Sequence, residues 1–360
     1  MRVWSVVSEA MRNIGSGVSR AFTMFLVVLV AGTLLGGYEA MNVTGLESEA
    51  SERIRSDADV KSIVGGDVDG GACDRLADAL GGGTSAGAMR AASRIIMQAT
   101  PGKDVTSYEV TSGMLRLIVS GTDGAKADAS GVWISSDVAG DFGLARGSLM
   151  RTGAGTVRVA GVFDWPNDGR DTRFAYAVIV PVSSDAGTFN ECWVKQWPQS
   201  EQSESLLYST LVVSGSGGGG AGVTQVNRGF DARYNAWASY MNRQTRWMPW
   251  IGFAVGVLVG AIAVRRRRLE YAGALHSGQG KGSQLLGIMI ETSIWSGSAT
   301  LCSCVLLAAY CARMGGSDPV GVLLGAARSP LSMFAGSVVA AVAAGAFVRQ
   351  SQLFRYFKRR

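Results

Sequence analysis

The stretch "WMPWIGFAVGVLVGAIAVRRRR", Trp247 to Arg268, holds 18 residues without a charge and then four consecutive arginines. At about 1.5 Å rise per residue, such a helix reaches roughly 27 Å, close to the hydrocarbon thickness of a bilayer at about 30 Å. Three further runs share the pattern: Ala21 to Tyr38 (18 residues), Thr292 to Ala312 (21) and Ser329 to Val348 (20). They account for a mean hydropathy of +0.18 and a charged fraction of only 17% over 360 residues, which is apolar for a soluble chain. The sequence therefore predicts four transmembrane helices. The first run follows basic residues as a signal peptide would, but "YEAMN" after Gly37 lacks a small-x-small cleavage step, so the run is expected to remain as a span.

Lysine and arginine set the orientation. Arg2, Arg12 and Arg20 precede the first span, Arg265 to Arg268 follow the second, and Arg349, Arg355, Lys358, Arg359 and Arg360 follow the fourth. Alternating spans put all three clusters on one side, so both termini are expected in the cytoplasm and residues 39–246 outside a bacterial plasma membrane. The outer part carries 24 Asp and Glu against 19 Lys and Arg, net −5, and the remainder is net +11. The overall charge of +6 is thus a topology signal, and no nucleic-acid partner is expected.

The expected order is a cytoplasmic amphipathic helix (1–20), a first span (21–38), an outer domain (39–246), a second span (247–264), a cytoplasmic segment (265–287), a third span (288–312), an outer loop (313–328), a fourth span (329–348) and a basic tail (349–360). In the first helix Val3, Val7, Met11, Ile14 and Val18 share one face, suited to the membrane surface or to the chain's own spans. The outer domain opens with a helical stretch (45–60) and closes with another (227–247). Both are read as stalks continuing the adjacent spans.

Between the stalks, "SAGAMRAASRIIMQAT" (85–100) reads as a helix. "MLRLIVSG" (114–121), "GVWISS" (131–136), "TVRVAGVF" (156–163), "FAYAVIVPV" (174–182), "ECWVKQW" (191–197) and "LLYSTLVVSG" (206–215) read as strands. The fold class is therefore four membrane helices plus a large outer α+β domain, with "GSGGGGAG" (215–222) as a flexible joint. Cys73 and Cys192 are the only cysteines in the outer part, where a disulfide between them is permitted. Small residues recur every four positions at Gly32 and Gly36, at Gly252, Gly256 and Gly260, and at Gly336, Ala340 and Ala344. That spacing favours close packing of helices, within the chain or against a second copy. Glu291 is expected to reach the interface from the start of the third span, with Lys281 or an arginine of the basic block as the alternative partner.

Several chemistries are poorly served. "GTSAG" (83–87) matches a nucleophile elbow at Ser85, but the single histidine, His276, lies on the opposite side of the membrane. "GQGKGS" departs from a phosphate loop at Leu275 and Gly282. One histidine and scattered cysteines offer no zinc set. No enzymatic activity, cofactor or metal is expected on this chain.

The stretch Arg265 to Glu291 runs from basic block through a Glu-containing helix to a Gly-rich break and "SQLLGIMIE". It resembles the cytoplasmic coupling segment of the MacB/FtsX-like (type VII) family of ABC-transporter permeases. Arg266, Arg267, Arg268 and Glu270 match that pattern, and Ala274, Leu275 and Gly278 match it more loosely. Gly273 stands where a basic residue is usual, and His276 where a small one is. In the outer domain Leu144, Gly147, Val159, Gly161, Val162 and Pro181 are similar to the family's strand, turn and strand signature.

The resemblance implies a MacB-like outer domain and a separate cytoplasmic ATPase that carries ATP and magnesium. It also implies pairing with a second permease copy or a paralogue. Docking of the ATPase would fall to Arg268, Glu270, Ala274, Leu275, His276 and Lys281, with Leu285 and Leu286 packing behind. ATP-driven export of a peptide, lipid or drug is the leading expectation, and FtsX-like control of a cell-wall hydrolase is an alternative within the class. A membrane-anchored sensor or adhesion protein without an ATPase is the alternative outside it.

Overall fold

A computed structural model describes residues 3–17, 19–122, 126–212, 220–349 and 351, with only the backbone for Val3 and Glu201. Arg2, Val18, residues 215–219 of the expected joint, and Arg355, Lys358, Arg359 and Arg360 lie outside the described residues. The chain divides into two compact units, a helical one (Met1–Ser48 with Trp237–Arg360) and a sheet unit (Glu49–Ala236).

The chain begins with α1 (Val3–Gly15) and α2 (Ala21–Arg55). The 35 residues of α2 make a helix of about 52 Å, well beyond one hydrocarbon thickness. Then follow β1 (Val60–Asp69), α3 (Gly70–Leu80), β2 (Ser85–Ala91), β3 (Ile95–Ile96), β4 (Asp104–Val110), α4 (Ser112–Val119), β5 (Val132–Ser135) and α5 (Ser136–Phe142). The unit continues through β6 (Leu149–Thr152), β7 (Gly155–Phe163), β8 (Ala177–Pro181), β9 (Thr188–Lys195), α6 (Glu201–Tyr208) and β10 (Gly222–Gln225). The last elements are α7 (Ala236–Met241), α8 (Met248–Arg266), α9 (Arg268–His276), α10 (Lys281–Met314) and α11 (Pro319–Phe347). Four helical stretches, 21–55, 236–266, 281–314 and 319–347, are long and apolar enough to cross a membrane.

The sheet unit is built on ten strands in the order β10-β1-β9-β2-β4-β8-β5-β7-β6, with β3 on β4. It is mixed, because β4 with β8 and β5 with β7 run parallel while the other pairs are antiparallel. Trp133, Phe163, Phe174 and Trp193 fill its main core with Met114, Leu117 and Ile118 of α4. A second core surrounds the Cys73–Cys192 disulfide, which ties α3 to β9.

Residues 85–100, read above as a helix, form β2 and β3. Tertiary contact decides this: a methyl on Gly87 would sit 1.8 Å from the Met114 amide nitrogen, so the small residues of β2 are the floor on which α4 lies. Residues 114–121, read as a strand, belong largely to α4, which Thr111 caps. Met114, Leu115, Leu117, Ile118 and Val119 are all buried, while Ser112, Arg116 and Ser120, four positions apart, are exposed; that helical contrast spans only about two turns, too short a window to outweigh the apolar and β-branched content. Of residues 206–215, also read as a strand, 206–208 end α6, whose start Ser200 caps, and Leu211 makes a single bridge to Val68; residues 213–215 lie outside the described residues. The opening stalk helix stops at Arg55, and Asp57 takes a positive φ of 54° before β1. In the closing stalk only α7 and a 3₁₀ turn at Gln244–Trp247 are helical before α8.

In the helical unit, α8 and α11 pack backbone to backbone. A methyl added at Gly252, Gly256 or Gly260 would lie 2.7, 2.1 and 2.2 Å from the carbonyl oxygens of Ser329, Met333 and Ser337. From the other side, a methyl added at Gly336 would lie 2.4 Å from the Phe253 carbonyl oxygen. Gly32 rests on Pro330, and Gly36 on Leu307 and Ala326. Ala340 is buried, and Ala344 packs in the cluster of Val264, Ala272 and Ile288. Hydroxyls add cross-helix hydrogen bonds, Thr33 to Ser303 (3.2 Å) and Ser332 to the Pro249 carbonyl (2.6 Å).

Helix α1 buries a face turned slightly from the one expected: Val7 and Ile14 of that face are partly buried, Ile14 against the cluster of Ala21, Met24 and Trp295. Val6 and Ala10 are buried while Met11 is 56% and Trp4 81% exposed. Met11 is the residue turned outward, and the smaller Val6–Ala10 ridge admits close contact with α10.

Candidate functional site

The site assembles where α8 ends, α9 follows and α10 begins. Arg267 is both the C-cap of α8 and the N-cap of α9, which places its side chain beneath the short helix. Its Nε donates to Glu270 Oε2 at 2.8 Å and its Nη1 to Glu291 Oε2 at 2.5 Å. Asn13 Nδ2 on α1 donates to the other oxygen, Glu291 Oε1, at 2.7 Å. One arginine thus joins α9 to α10, and one glutamate joins α10 to α1. Burial pulls the Arg267 guanidinium down, but Tyr271, Glu270 and Glu291 outweigh it and hold the group above its ordinary value. Burial chiefly pushes the Tyr271 phenol up.

Glu291 therefore does not extend to the interface. It is buried at 6% exposure, and a buried carboxylate needs a cation and hydrogen bonds to remain ionised. Of the alternatives the sequence left open, the basic block supplies the partner.

A cavity of about 190 Å³ opens beside this knot, lined by residues of α1, α9 and α10 that include Glu9, Asn13, Arg267, Glu270, Ala274, Ser283, Gln284 and Glu291. Gln284 is 3% exposed, and neither its Nε2 nor its Oε1 has a hydrogen-bond partner among the described residues. A buried carboxamide in that state costs about 1–3 kcal/mol per unmade bond.

The residues expected to dock a partner do not behave alike. Glu270 and Ala274 border the cavity. Glu270 and His276 are exposed on α9, whereas Arg268 and Leu275 are partly buried. Lys281 turns inward, its Nζ donating to the carbonyls of Gly345 (3.0 Å) and Val348, a cation on the end of α11. Leu285 packs toward α11, near the position of Gly345, and Leu286 is partly buried. Sequence reasoning passed over Asn13, Tyr271 and Gln284. The spacing of Gln284, Ile288 and Glu291, at i, i+4 and i+7, was the readable sign that they share a face.

The sheet unit holds a second polar cluster. The Arg170 side chain, 4% exposed, donates to Asp57 Oδ2 (2.5 Å), to both oxygens of Asp168 (2.8 and 2.7 Å) and to the Arg55 carbonyl (2.8 Å). Lys195 Nζ donates to Asp57 Oδ1 (2.6 Å) and the Ile54 carbonyl (3.1 Å), and Asn227 Nδ2 to the Ser56 carbonyl (2.7 Å). The orphan carbonyls at the end of α2 are thus taken up by side chains from the sheet and its loops.

Asp59 lies beside the cluster, 2% exposed, with Oδ1 3.8 Å from Lys195 Nζ and without a hydrogen-bond partner for that oxygen among the described residues. Burial, against the pull of Lys195 and with the push of Asp57, raises its carboxyl to about 6. A carboxyl raised from 3.8 to about 6 on folding contributes stability that is complete below pH 4 and lost as the pH rises through 6, about 3 kcal/mol in all. Thermal melts of the full chain should therefore show the wild type losing stability relative to Asp59→Asn between pH 4.5 and 7.5. A pH-independent difference between the two would contradict this.

No family model matches the sequence, and no curated protein matches it. Among solved structures, the chain is similar to a domain of a permease protein from Porphyromonas gingivalis, with 13% identity, coverage of 47% of this chain and 88% of that one, and a TM-score of 0.33. It is likewise similar to the periplasmic region of MacB from Actinobacillus actinomycetemcomitans, with 10% identity, 54% and 98% coverage and a TM-score of 0.32.

Proposed function

We propose that this chain is the transmembrane permease subunit of an ABC transporter, passing the work of a separate cytoplasmic ATPase to an outer sheet domain. Export of a peptide, lipid or drug is the expected outcome of the cycle. Two copies, or this chain and a paralogue, form the membrane assembly.

The observation that carries this reading is the Arg267 knot. A docking helix can transmit a load only if it is tied to the spans, and α9 is tied to α10 through Arg267 and Glu291 and on to α1 through Asn13. At the other end, the carbonyls of Ile54 and Arg55 at the close of α2, and of Ser56 just beyond it, accept from Lys195, Arg170 and Asn227, so movement of that terminus acts on the sheet unit. Both nucleotide state and outer partner then bias one two-state arrangement. The arginine asymmetry and the Cys73–Cys192 disulfide support an outer location for the sheet unit.

Copurification from native membranes tests the reading. A stoichiometric nucleotide-binding subunit is expected with the wild-type chain. It should be lost with Glu270→Lys, which reverses charge on the exposed face of α9, and with Ala274→Pro, which breaks α9 at a cost of about 3 kcal/mol. Both variants should still insert in the membrane. Retention of the ATPase in both, or labelling of residues 265–284 from outside intact cells, would overturn the assignment.

A further inference from the structure

We infer that the cavity between α1, α9 and α10 is a receptor for one arginine side chain presented by the cytoplasmic partner. This rests on the reading of the chain as an ATPase-coupled permease, and it assigns a chemistry to the contact. The charged residues lining the cavity are Glu9, Glu270, Glu291 and Arg267, an excess of acid that opposes phosphate and other anions. Arg267 satisfies Glu270 and Glu291, whereas the Glu9 carboxylate, exposed on α1, makes no ion pair or hydrogen bond among the described residues. The site thus has an unneutralised carboxylate on its rim and, in its buried wall, the unpartnered carboxamide of Gln284.

An incoming guanidinium, which only donates, meets an acceptor at each level: the Glu9 carboxylate and Gln284 Oε1. The Gln284 amide can be satisfied by a water alongside, since about 190 Å³ corresponds to roughly six waters of liquid volume. No group of three metal-binding side chains occurs among the described residues, which disfavours a divalent cation. A lipid ammonium is disfavoured as well, because its phosphate would be brought among three carboxylates. The exposed apolar residues of α1, Trp4 and Met11, also lie outside the lining.

The test uses the full chain in detergent and calorimetric titration at low salt with N-acetyl-arginine amide, with N-acetyl-citrulline amide as the neutral isostere. The arginine compound should bind at least tenfold more tightly than the citrulline compound. Gln284→Met and Glu9→Gln should each weaken it at least tenfold. Gln284→Met removes a buried polar group without a partner and should melt no lower than wild type; should it fail to fold, Glu9→Gln, at an exposed position, still decides. Equal binding of the two compounds, no binding, or binding indifferent to both substitutions overturns the receptor. So does competition by phosphoethanolamine stronger than that by the arginine compound. If the site binds arginine but no ATPase copurifies, the permease reading fails while the site stands. If the ATPase copurifies equally with both variants, the site's role fails while the permease reading stands.

Discussion

Isoleucine at position 256 should prevent α8 and α11 from assembling, with a loss above about 4 kcal/mol. Even the first side-chain carbon would lie 2.1 Å from the Met333 carbonyl oxygen and 3.0 Å from its Cα. Backbone cannot rotate away as a side chain does, so the helices must separate. Separation also opens the contacts at Gly252, Gly260 and Gly336, which share the seam. In a bilayer no hydrophobic force offsets the lost packing, because lipid tails are as apolar as the helices. The expected result is loss of the monodisperse peak in size-exclusion chromatography with little change in membrane insertion. Gly325→Ala, on α11 with nothing within 4 Å of the added carbon, is the matched control and should behave as wild type. Equal behaviour of the two variants would contradict the seam.

Arg170→Ala should cost the sheet unit about 3–5 kcal/mol, the range for removing one partner of a buried ion pair. The substitution leaves Asp57 with Lys195 alone and strips Asp168 and the Arg55 carbonyl of their donor. The aromatic support goes too, since the guanidinium stacks 5.0 Å from the Trp165 ring. Arg170→Lys should recover only part of the loss, because one ammonium cannot reach three acceptors in fixed directions. Urea unfolding of the full chain measures the loss, and amide exchange in β1 and β10 should rise with it. By contrast Lys103→Ala removes an exposed pair with Asp141, its side chains 56% and 48% exposed, and should leave the unfolding midpoint unchanged. An effect of similar size in both variants would mean that the cluster is not what holds α2.

Legibility differs between the two units for a physical reason. A span reports itself because every residue of a run must be tolerable to lipid, so composition alone locates it. The uncharged runs beginning at Ala21, Trp247, Thr292 and Ser329 all fall in helices long and apolar enough to cross a membrane. In the sheet unit the strands at 132–135, 155–163, 177–181 and 188–195 were legible from their β-branched and aromatic content. The exchange of helix and strand at 85–100 and 114–121 was not. A small-residue strand lying under a short, mostly buried helix gives alanine and glycine where propensity says helix, and an apolar run broken only by Arg116 where it says strand.

The same division runs through the site. The basic block, Glu270 and Glu291 were visible as unusual charges beside apolar runs. Which of four adjacent arginines turns inward was not, because Arg265 to Arg268 are identical in the chain. They differ only once α8 ends and the change of direction at Arg267 points one guanidinium at Glu291. Lys281 reads as a surface charge until the end of α11 arrives beside it.

Hydrophobic length and the scarcity of charge, properties that each residue carries independently of its neighbours in space, were enough to establish four membrane-capable helices and a separate α+β unit. Which backbones touch, which ions pair and which carboxamide is left unpartnered depend on residues tens to hundreds of positions apart, such as Asn13 with Glu291 and Asp57 with Arg170. Those were decided only by tertiary packing, because burial makes the energy of a polar group depend on what stands next to it.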